Sequence, residues 1–463
     1  MTAHEDVPVS PAAGAPALRR MLGLTDLTLI AMGTVIGSGI FLVPAVVLRE
    51  TGEATGPALV VWVAAGLLSL LGALTYAEMG AMKPEAGGLY TYLRDAFGPL
   101  PAFLYGWTSF FVIASGSIAT LAVAFSLYLS QIVAISPLAA RIISVLLIAI
   151  MAFINVRGTR KSATVQNWTT GLKVGALVAL SLALIAFGRG AAVHVPAWPS
   201  SFTASLATGM GAAMIGVLWA YEGWQYVTFS AGETRDPQRI FPRAITLATA
   251  ALVALYILVN LGYLAALGPV AAAHSDHVAA DAGSVVLGPV AGNVIGVLIL
   301  VSIFSATNGL FLTAPRMYFS MARDGVFFQR LAAISPRRGT PAFAIIALAL
   351  WAAVLAATGT FEQLLTFVVF TGWIFYALGA LSVFVYRRRL PNAPRPFRVP
   401  GYPVTPLLFV LSAAGLVLNT MITQPMRAAL GIGVVLLGTP AFFAWRARSR
   451  RLALLNATTP TTV

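Results

Sequence analysis

Twelve long apolar runs, separated by short polar segments, constrain this sequence more than any other feature. A bilayer core about 30 Å thick needs roughly 20 apolar residues per helix, so most of the runs are long enough to cross one. Only 10% of the residues are charged, against about 25% in an ordinary soluble domain. The pattern predicts an all-α integral membrane protein with about 12 transmembrane helices. The runs lie near 24–48, 57–79, 98–131, 138–155, 164–187, 207–231, 242–267, 287–314, 342–358, 362–386, 404–421 and 427–445.

The Lys and Arg residues are distributed unevenly among the segments that join these runs. If the N-terminus is cytoplasmic, 24 of the 29 fall in cytoplasmic segments, four fall on the other side and Lys173 lies within a span. Positive residues accumulate on the cytoplasmic side, and one wrong span would scramble the asymmetry. We therefore expect both termini to be cytoplasmic, with a disordered tail at 1–20 and a second tail at 447–463.

Composition also excludes several classes of protein. The net charge of +14 is divided among short clusters, which argues against a nucleic-acid interface. The chain has no cysteine, and its four histidines lack metal-ligand spacing. No phosphate-binding G-x-x-x-x-G-K-[ST] loop occurs, and ionisable groups within the spans are too few for an enzyme site. We expect lipid around the protein, no cofactor and no enzymatic activity.

The first span contains Gly33, Gly37 and Gly39 near its centre. Each interior Gly costs about 1 kcal/mol of helix propensity relative to Ala, so the helix could be unwound here. Close helix packing is the other interpretation, because Gly33 and Gly37 form a small-xxx-small pair. This segment alone does not decide between the two.

The sixth span places Glu222 beside Gly223 near mid-membrane. A carboxylate there costs about 2.5–3.5 kcal/mol on insertion scales and implies a polar cavity or a partner. Paired interruptions at matching positions of two halves are typical of a transporter binding site. Spans one to five (21–187) and six to ten (188–390) would then form an inverted repeat, followed by two helices in 391–446.

Two such interruptions would expose peptide groups to one cavity. The unsatisfied N–H groups after Gly39 and the Ser38 hydroxyl could receive a carboxylate, and the freed carbonyls could receive an ammonium group. This combination predicts a receptor for an α-amino acid. The predicted substrate-binding residues are Thr34, Ile36, Gly37, Ser38, Gly39, Trp219, Ala220, Glu222 and Gly223.

Several motifs together resemble the amino acid–polyamine–organocation transporter superfamily, most closely the bacterial relatives of its L-type transporters. The resemblance implies the leucine-transporter fold, with a 5+5 inverted repeat plus two helices. It implies a secondary transporter of small or large neutral L-amino acids, working by exchange or proton coupling. A cationic amino acid or polyamine antiporter is the alternative. The motifs are Gly33–Phe41 followed by Pro44, Leu71–Glu78, Pro84–Tyr90, Asn155–Gly158, Glu233–Arg243 and Arg395–Pro403.

The resemblance also implies roles for single residues. It assigns the substrate carboxylate to Gly37–Gly39 and the amino group to carbonyls near Ile36, Trp219 and Ala220. Trp219 would be an aromatic gate. Lys173 in helix five would lie where sodium sits in sodium-dependent relatives, and Tyr256 in helix seven matches a tyrosine of the L-type branch. Sodium coupling is therefore not expected.

Eukaryotic heteromeric members of the branch are joined by a disulfide to a glycoprotein subunit. This chain has no cysteine, which excludes a disulfide-linked heavy chain and favours a stand-alone protein of a bacterial inner membrane.

Some alternatives stay open. Glu222 could bind a cationic substrate side chain, relay protons, or hold the unwound turn by a hydrogen bond. Lys173 could act in coupling or could extend to the membrane interface. We expect Glu78 to face the cytoplasmic interface, and Glu233 or Asp236 to pair with the basic run 235–243.

Overall fold

Seventeen α-helices make up most of the chain described by the computed structural model, which comprises residues 18–188, 190, 196–359 and 361–458. The first nine are α1 (Leu24–Val35), α2 (Gly39–Glu50), α3 (Thr55–Met82), α4 (Leu89–Phe97), α5 (Pro99–Thr108), α6 (Ala114–Ile132), α7 (Pro137–Val156), α8 (Thr159–Phe187) and α9 (Ala204–Ala220). The others are α10 (Pro237–Ala273), α11 (Val278–Leu287), α12 (Ala291–Thr313), α13 (Pro315–Arg323), α14 (Ala342–Thr358), α15 (Phe361–Arg389), α16 (Val404–Thr423) and α17 (Pro425–Thr458). A π-helical turn at Ser109–Ile113 joins α5 to α6, and a 3-10 helix at Trp224–Glu233 follows α9.

The helices reproduce the predicted spans. Within the described ranges, ten helical segments are long and apolar enough to cross a membrane. The pair α1 and α2 forms a further span with a bend of 48°. Helix α14 is apolar but has only 17 residues, and it corresponds to the shortest predicted run. The prediction of an all-α, multi-pass membrane protein is confirmed.

Contacts between helix ends define two faces of the molecule, because the first and fifth spans begin at one face and the first and seventh end at the other. At one face, Asp26 near the start of α1 accepts a hydrogen bond from Arg160 near the start of α8, at 2.9 Å. At the other face, Arg49 near the end of α2 donates to the carbonyl of Ala273 at the end of α10, at 2.7 Å. We call the first the basic face, because most arginines lie there, and the second the opposite face.

Small residues let the spans approach closely around the centre of the molecule. Gly72 of α3 faces the rings of Trp224 and Phe409, and a Cβ there would lie 2.5 Å from the nearer ring. Gly80 similarly faces the ring of Phe241 on α10. Glycine allows such close contact in membranes, where association depends on van der Waals packing. As a result, α3 supports both α10 and the 3-10 helix from behind.

Two acids at the basic face have partners that local sequence did not indicate. Glu78 is fully buried and accepts two hydrogen bonds from Arg387, at 2.9 and 2.6 Å, so its predicted position at the interface is wrong. Glu233 accepts from Arg316 at 2.6 Å, and both side chains are 1% exposed. Of the acids expected to pair with the run 235–243, only Asp236 has such a contact, at 4.0 Å from Arg239. Buried charges need partners, and helices distant in sequence supply them.

The described parts of both chain ends are ordered. The N–H groups of Met21 and Leu22 donate to the carbonyl of Glu233, at 2.8 and 2.9 Å, and so join the first described residues to the sixth span. Helix α17 extends to Thr458, so residues 447–458 of the predicted C-terminal tail are helical. The predicted tail at 1–20 lies mostly outside the described residues, as does 459–463.

Replacement of Arg316 by Met should destabilise the protein strongly. The variant leaves Glu233 buried without its cation, and such a loss costs about 3–5 kcal/mol. Thermal or denaturant unfolding of the purified protein measures the change. Arg239→Met is the matched control, because that exposed pair at 4.0 Å should contribute about 1 kcal/mol or less. Equal destabilisation by both variants would contradict the assignment.

Candidate functional site

The first span is interrupted at the glycine-rich segment. Helix α1 ends at Val35, the next three residues are not helical, and α2 begins at Gly39. The first N–H groups of a helix have no carbonyl one turn earlier, and the side chain of Ser38 does not cap them here. The start of α2 therefore offers N–H donors with partial positive charge, as predicted for this segment.

The sixth span is interrupted at Gly223. Helix α9 ends at Ala220, a turn follows, and the 3-10 helix begins at Trp224. Gly223 has φ +131°, a conformation that residues with a side chain rarely adopt. A Cβ at this position would also lie 2.9 Å from the carbonyl group of Thr34. Both the backbone conformation and the available space therefore require glycine.

The two interruptions lie in direct contact. The Thr34 hydroxyl is 3.1 Å from the carbonyl oxygen of Gly223. A Cβ at Gly39 would lie 2.9 Å from the Cβ of Ala220. The paired breaks therefore lie at the same depth and face each other, which is the arrangement that a shared binding cavity requires.

A small cavity of about 70 Å³ opens between the interruptions. It has room for a few water molecules or for a small solute. Eight of the nine predicted substrate-binding residues line it, and Ile36 does not. The predicted lining residues are Thr34, Gly37, Ser38, Gly39, Trp219, Ala220, Glu222 and Gly223, and the structure adds Val35, Ser117, Thr120, Leu121, Tyr226, Leu310 and Val368.

Four residues that line this cavity each have a buried polar atom without a hydrogen-bond partner among the described residues. The atoms are Oγ of Ser38, Oγ1 of Thr120, Oε2 of Glu222 and the hydroxyl of Tyr226. An unsatisfied buried group costs about 1–3 kcal/mol, so such atoms are normally paired with water or a ligand. Their convergence, with both donors and acceptors, indicates a receptor for a small polar molecule.

Lys173 supports the first interruption from behind. Its Nζ donates to the carbonyls of Gly33 and Ile36, at 2.8 and 2.6 Å, and lies 3.4 Å from the carbonyl of Ser302 on α12. The residue is fully buried, so the interpretation that it extends to the membrane interface is wrong. Its ammonium group instead satisfies carbonyls that the break of α1 has released. The carbonyl of Ile36 therefore has a partner other than a substrate.

Tyr256 of α10 has a similar supporting position. Its hydroxyl donates to the carbonyl of Ala220 at 3.1 Å and is 3.4 Å from that of Val35. It therefore joins the ends of both broken helices. Neither Tyr256 nor Lys173 lines the cavity. Their contacts hold its walls in place.

Glu222 has one oxygen in a hydrogen-bond network and one that faces the cavity. Its Oε1 accepts from the hydroxyl of Tyr376 at 2.9 Å. That hydroxyl accepts from Gln225 at 2.7 Å, and Gln225 in turn accepts from the N–H of Gly223 at 3.0 Å. This network stabilises the turn after α9, while Oε2 has no partner among the described residues.

Trp219 lies over the start of α2. The side chain is half-buried, and its ring edge would be 3.3 Å from a Cβ at Gly39. Any side chain at Gly39 would push against this ring and against Ala220. The arrangement places an aromatic ring at the border of the cavity.

Three of the seven lining residues that sequence reasoning missed come from one helix. Ser117, Thr120 and Leu121 lie on α6, in the third span, where polar residues spaced three apart face the cavity. Nothing in the sequence of this span distinguishes these residues from ordinary polar positions that donate to the backbone of their own helix. Tyr226 could have been suspected from the sequence, because it lies three residues after Gly223.

Two interrupted helices that meet at a polar cavity between membrane spans are characteristic of secondary transporters. The family described as amino acid permease matches residues 22–437. The chain therefore belongs to the amino acid permease family, and the resemblance to the amino acid–polyamine–organocation superfamily and its leucine-transporter fold is confirmed.

Individual relatives cover most of the chain. It is 35% identical to the b(0,+)-type amino acid transporter 1 of Homo sapiens over 418 residues, which cover 88% of this chain and 84% of that protein. It is 30% identical to the serine/threonine exchanger SteT of Bacillus subtilis (strain 168) over 438 residues, with coverage of 93% and 98%. It is 29% identical to the large neutral amino acids transporter small subunit 2 of Mus musculus over 447 residues, with coverage of 94% and 82%.

Substitution of Gly223 by Ala should disrupt the site. An unfavourable backbone conformation costs about 1–3 kcal/mol, and the added methyl group would press on Thr34. We expect substrate transport by Gly223→Ala to fall about tenfold or more at equal protein level. Gly211→Ala on α9 is the control, because a Cβ there meets no atom within 4 Å. Normal transport by Gly223→Ala would show that the turn does not need glycine.

Proposed function

We propose that this protein is a secondary active transporter that exchanges neutral L-amino acids by alternating access, with small ones preferred. The observation that carries the proposal is the convergence of two interrupted helices on one small cavity that holds unpaired donors and acceptors. Relatives that include a serine/threonine exchanger support the substrate class. Proton-coupled uptake is the other coupling mode that the same site would allow.

The substrate carboxylate would bind at the start of α2. The N–H groups there have no side-chain cap, and the Ser38 hydroxyl has no hydrogen-bond partner among the described residues. A helix N-terminus favours an anion through its free N–H groups and its dipole. A Cβ at Gly37 would lie 3.6 Å from Leu121, so this glycine keeps the main chain accessible beside these donors, whereas Gly39 packs against Ala220 and Trp219.

The substrate ammonium group would bind the carbonyls of Thr34 and Trp219, with Oε2 of Glu222 nearby. The Trp219 carbonyl already accepts from the N–H of Glu222 at 3.0 Å, and the carbonyls of Ile36 and Ala220 accept from Lys173 and Tyr256. A carbonyl oxygen has two lone pairs, so a substrate would share these acceptors with the groups that already bind them. We infer that substrate binding and the positions of Lys173 and Tyr256 are coupled through these shared carbonyls.

We retain residues 21–187 and 188–390 as the two inverted repeats. We also propose that the protein lies in a bacterial inner membrane, with the basic face on the cytoplasmic side. The asymmetry of Lys and Arg supports this orientation. The chain has no native cysteine, so single introduced cysteines can test it. Arg141→Cys should react with an impermeant maleimide in intact cells, and Arg239→Cys only after permeabilisation.

Reconstitution in liposomes tests the proposed exchange. Uptake of a labelled neutral amino acid should require unlabelled amino acid inside. Uptake into empty liposomes that requires a pH gradient would instead indicate proton coupling, and no uptake of any amino acid or amine would reject the function.

Lys173→Ala should reduce exchange while the protein still inserts, because the carbonyls of Gly33 and Ile36 lose the amino group that donates to them. Wild-type exchange by that variant would remove Lys173 from the mechanism.

A transporter of cationic amino acids or polyamines is the second candidate, because Oε2 of Glu222 lies unpaired at the cavity. Uptake of arginine and alanine by Glu222→Gln separates the roles of this residue. Selective loss of arginine uptake indicates contact with a cationic side chain, and loss of both indicates proton relay. If neither changes, Glu222 serves only the network with Tyr376.

A further inference from the structure

A second and larger cavity lies at the opposite face, separate from the central one. Its volume is about 280 Å³, four times that of the central cavity. Helices α2, α6, α11 and α12 enclose it. A solute small enough for the central cavity would fill only part of this one. We therefore do not interpret it as a second binding site for the same substrate.

The two cavities share two helices. Helix α2 contributes Gly39 to the central cavity and Phe41 to the second one, and α6 contributes Thr120 and Tyr128 in the same way. An occupant of the second cavity would therefore contact the first turn of α2, directly after the interruption.

One buried hydroxyl in this cavity lacks a partner. Tyr128 is 8% exposed, lines the cavity, and its hydroxyl has no hydrogen bond among the described residues. By contrast, the hydroxyl of Ser126 on the same helix donates to its own helix and accepts from Ser144. A ligand with an oxygen atom at this point would remove the cost of the unpaired group.

The lining indicates a neutral ligand. Among the described residues, no Asp, Glu, Lys or Arg lines the cavity. A charged head group would lose its hydration there without an ion pair, which is costly. The inner wall is apolar, with Phe41, Ile295 and Ile299, while Gln131, His277 and Asn293 are exposed at the rim. The site therefore suits an apolar body that carries one hydrogen-bonding group.

We propose that this cavity binds a neutral amphipathic alcohol that partitions into the membrane, with its hydroxyl oxygen accepting from Tyr128 and its apolar body against Phe41 and Ile299. Because the occupant restrains the first turn of α2, it inhibits transport without competing with the substrate. The effect on transport rests on the exchange proposed above, whereas binding does not.

Gly292 provides a variant that closes the cavity. It lies in the lining, and a Cβ there would meet no atom within 4 Å. Gly292→Phe therefore adds its Cβ without a clash, and the aromatic ring should occupy space in the cavity. Gly415→Phe on α16 is the matched control, because Gly415 is exposed, has equally open surroundings and lies outside this cavity. The control reports any general effect of the alcohol on the bilayer.

The probe is 3-phenyl-1-propanol, with 3-phenylpropionate as its charged counterpart. Binding is measured by saturation-transfer NMR on the protein in nanodiscs, and inhibition by exchange in liposomes. We expect wild type and Gly415→Phe to bind the alcohol and to show a lower maximal rate at unchanged KM. Gly292→Phe should not bind the alcohol, and its exchange rate should not change when the alcohol is added. Tyr128→Phe should bind roughly threefold to tenfold more weakly, as for one lost hydrogen bond.

Several results would overturn this assignment. Binding to Gly292→Phe equal to that of wild type would exclude the cavity as the site. Equal binding of the carboxylate and the alcohol would reject the neutral head group. Binding without inhibition would reject the restraint on α2. If the wild type exchanges no amino acid, the proposed transport fails, while the NMR measurements still decide whether the cavity binds the alcohol.

Discussion

Every peptide group in the hydrocarbon region of a membrane needs a hydrogen-bond partner, and this requirement governs the centre of the molecule. A helix can be interrupted there only if other groups replace the lost bonds. Lys173 replaces them at Gly33 and Ile36, and Tyr256 replaces one at Ala220. The groups that remain unpaired at the breaks face the central cavity. The site therefore exists because the replacement is incomplete.

The replacement of these backbone hydrogen bonds explains why Lys173 is buried. An ammonium group in a low-dielectric interior is costly unless its donors are paired. Carbonyls of α1 and α12 surround it, and these carbonyls would themselves be costly without a donor. Each side stabilises the other, so the lysine and the interruption depend on one another. A movement of α1 that separates them must supply new partners to both, from water or from a substrate.

The two faces of the molecule are held by different kinds of contact. At the basic face, the pairs Glu233–Arg316 and Glu78–Arg387 bury their acids completely or almost completely. At the opposite face, Glu53 lies 3.4 Å from His274, and the histidine is mostly exposed. In the proposed exchange, opening the basic face would separate buried charges, whereas the opposite face has a large cavity beside α2. The two openings of that cycle would thus differ in the contacts that must break.

The amino-acid sequence by itself determined the helical spans, which are a local property, and it indicated the two points of interruption once spans one and six were compared. Apolar length sets a span, and Gly37, Gly223 and Glu222 each oppose a continuous apolar helix whatever surrounds them. Only the tertiary structure decided which groups meet at those points. The engagement of the Ile36 carbonyl by Lys173 and the burial of Glu78 join residues more than 100 positions apart. The empty space beside Tyr128 is a further example, because a cavity is formed by the fit of four helices and has no counterpart along the chain.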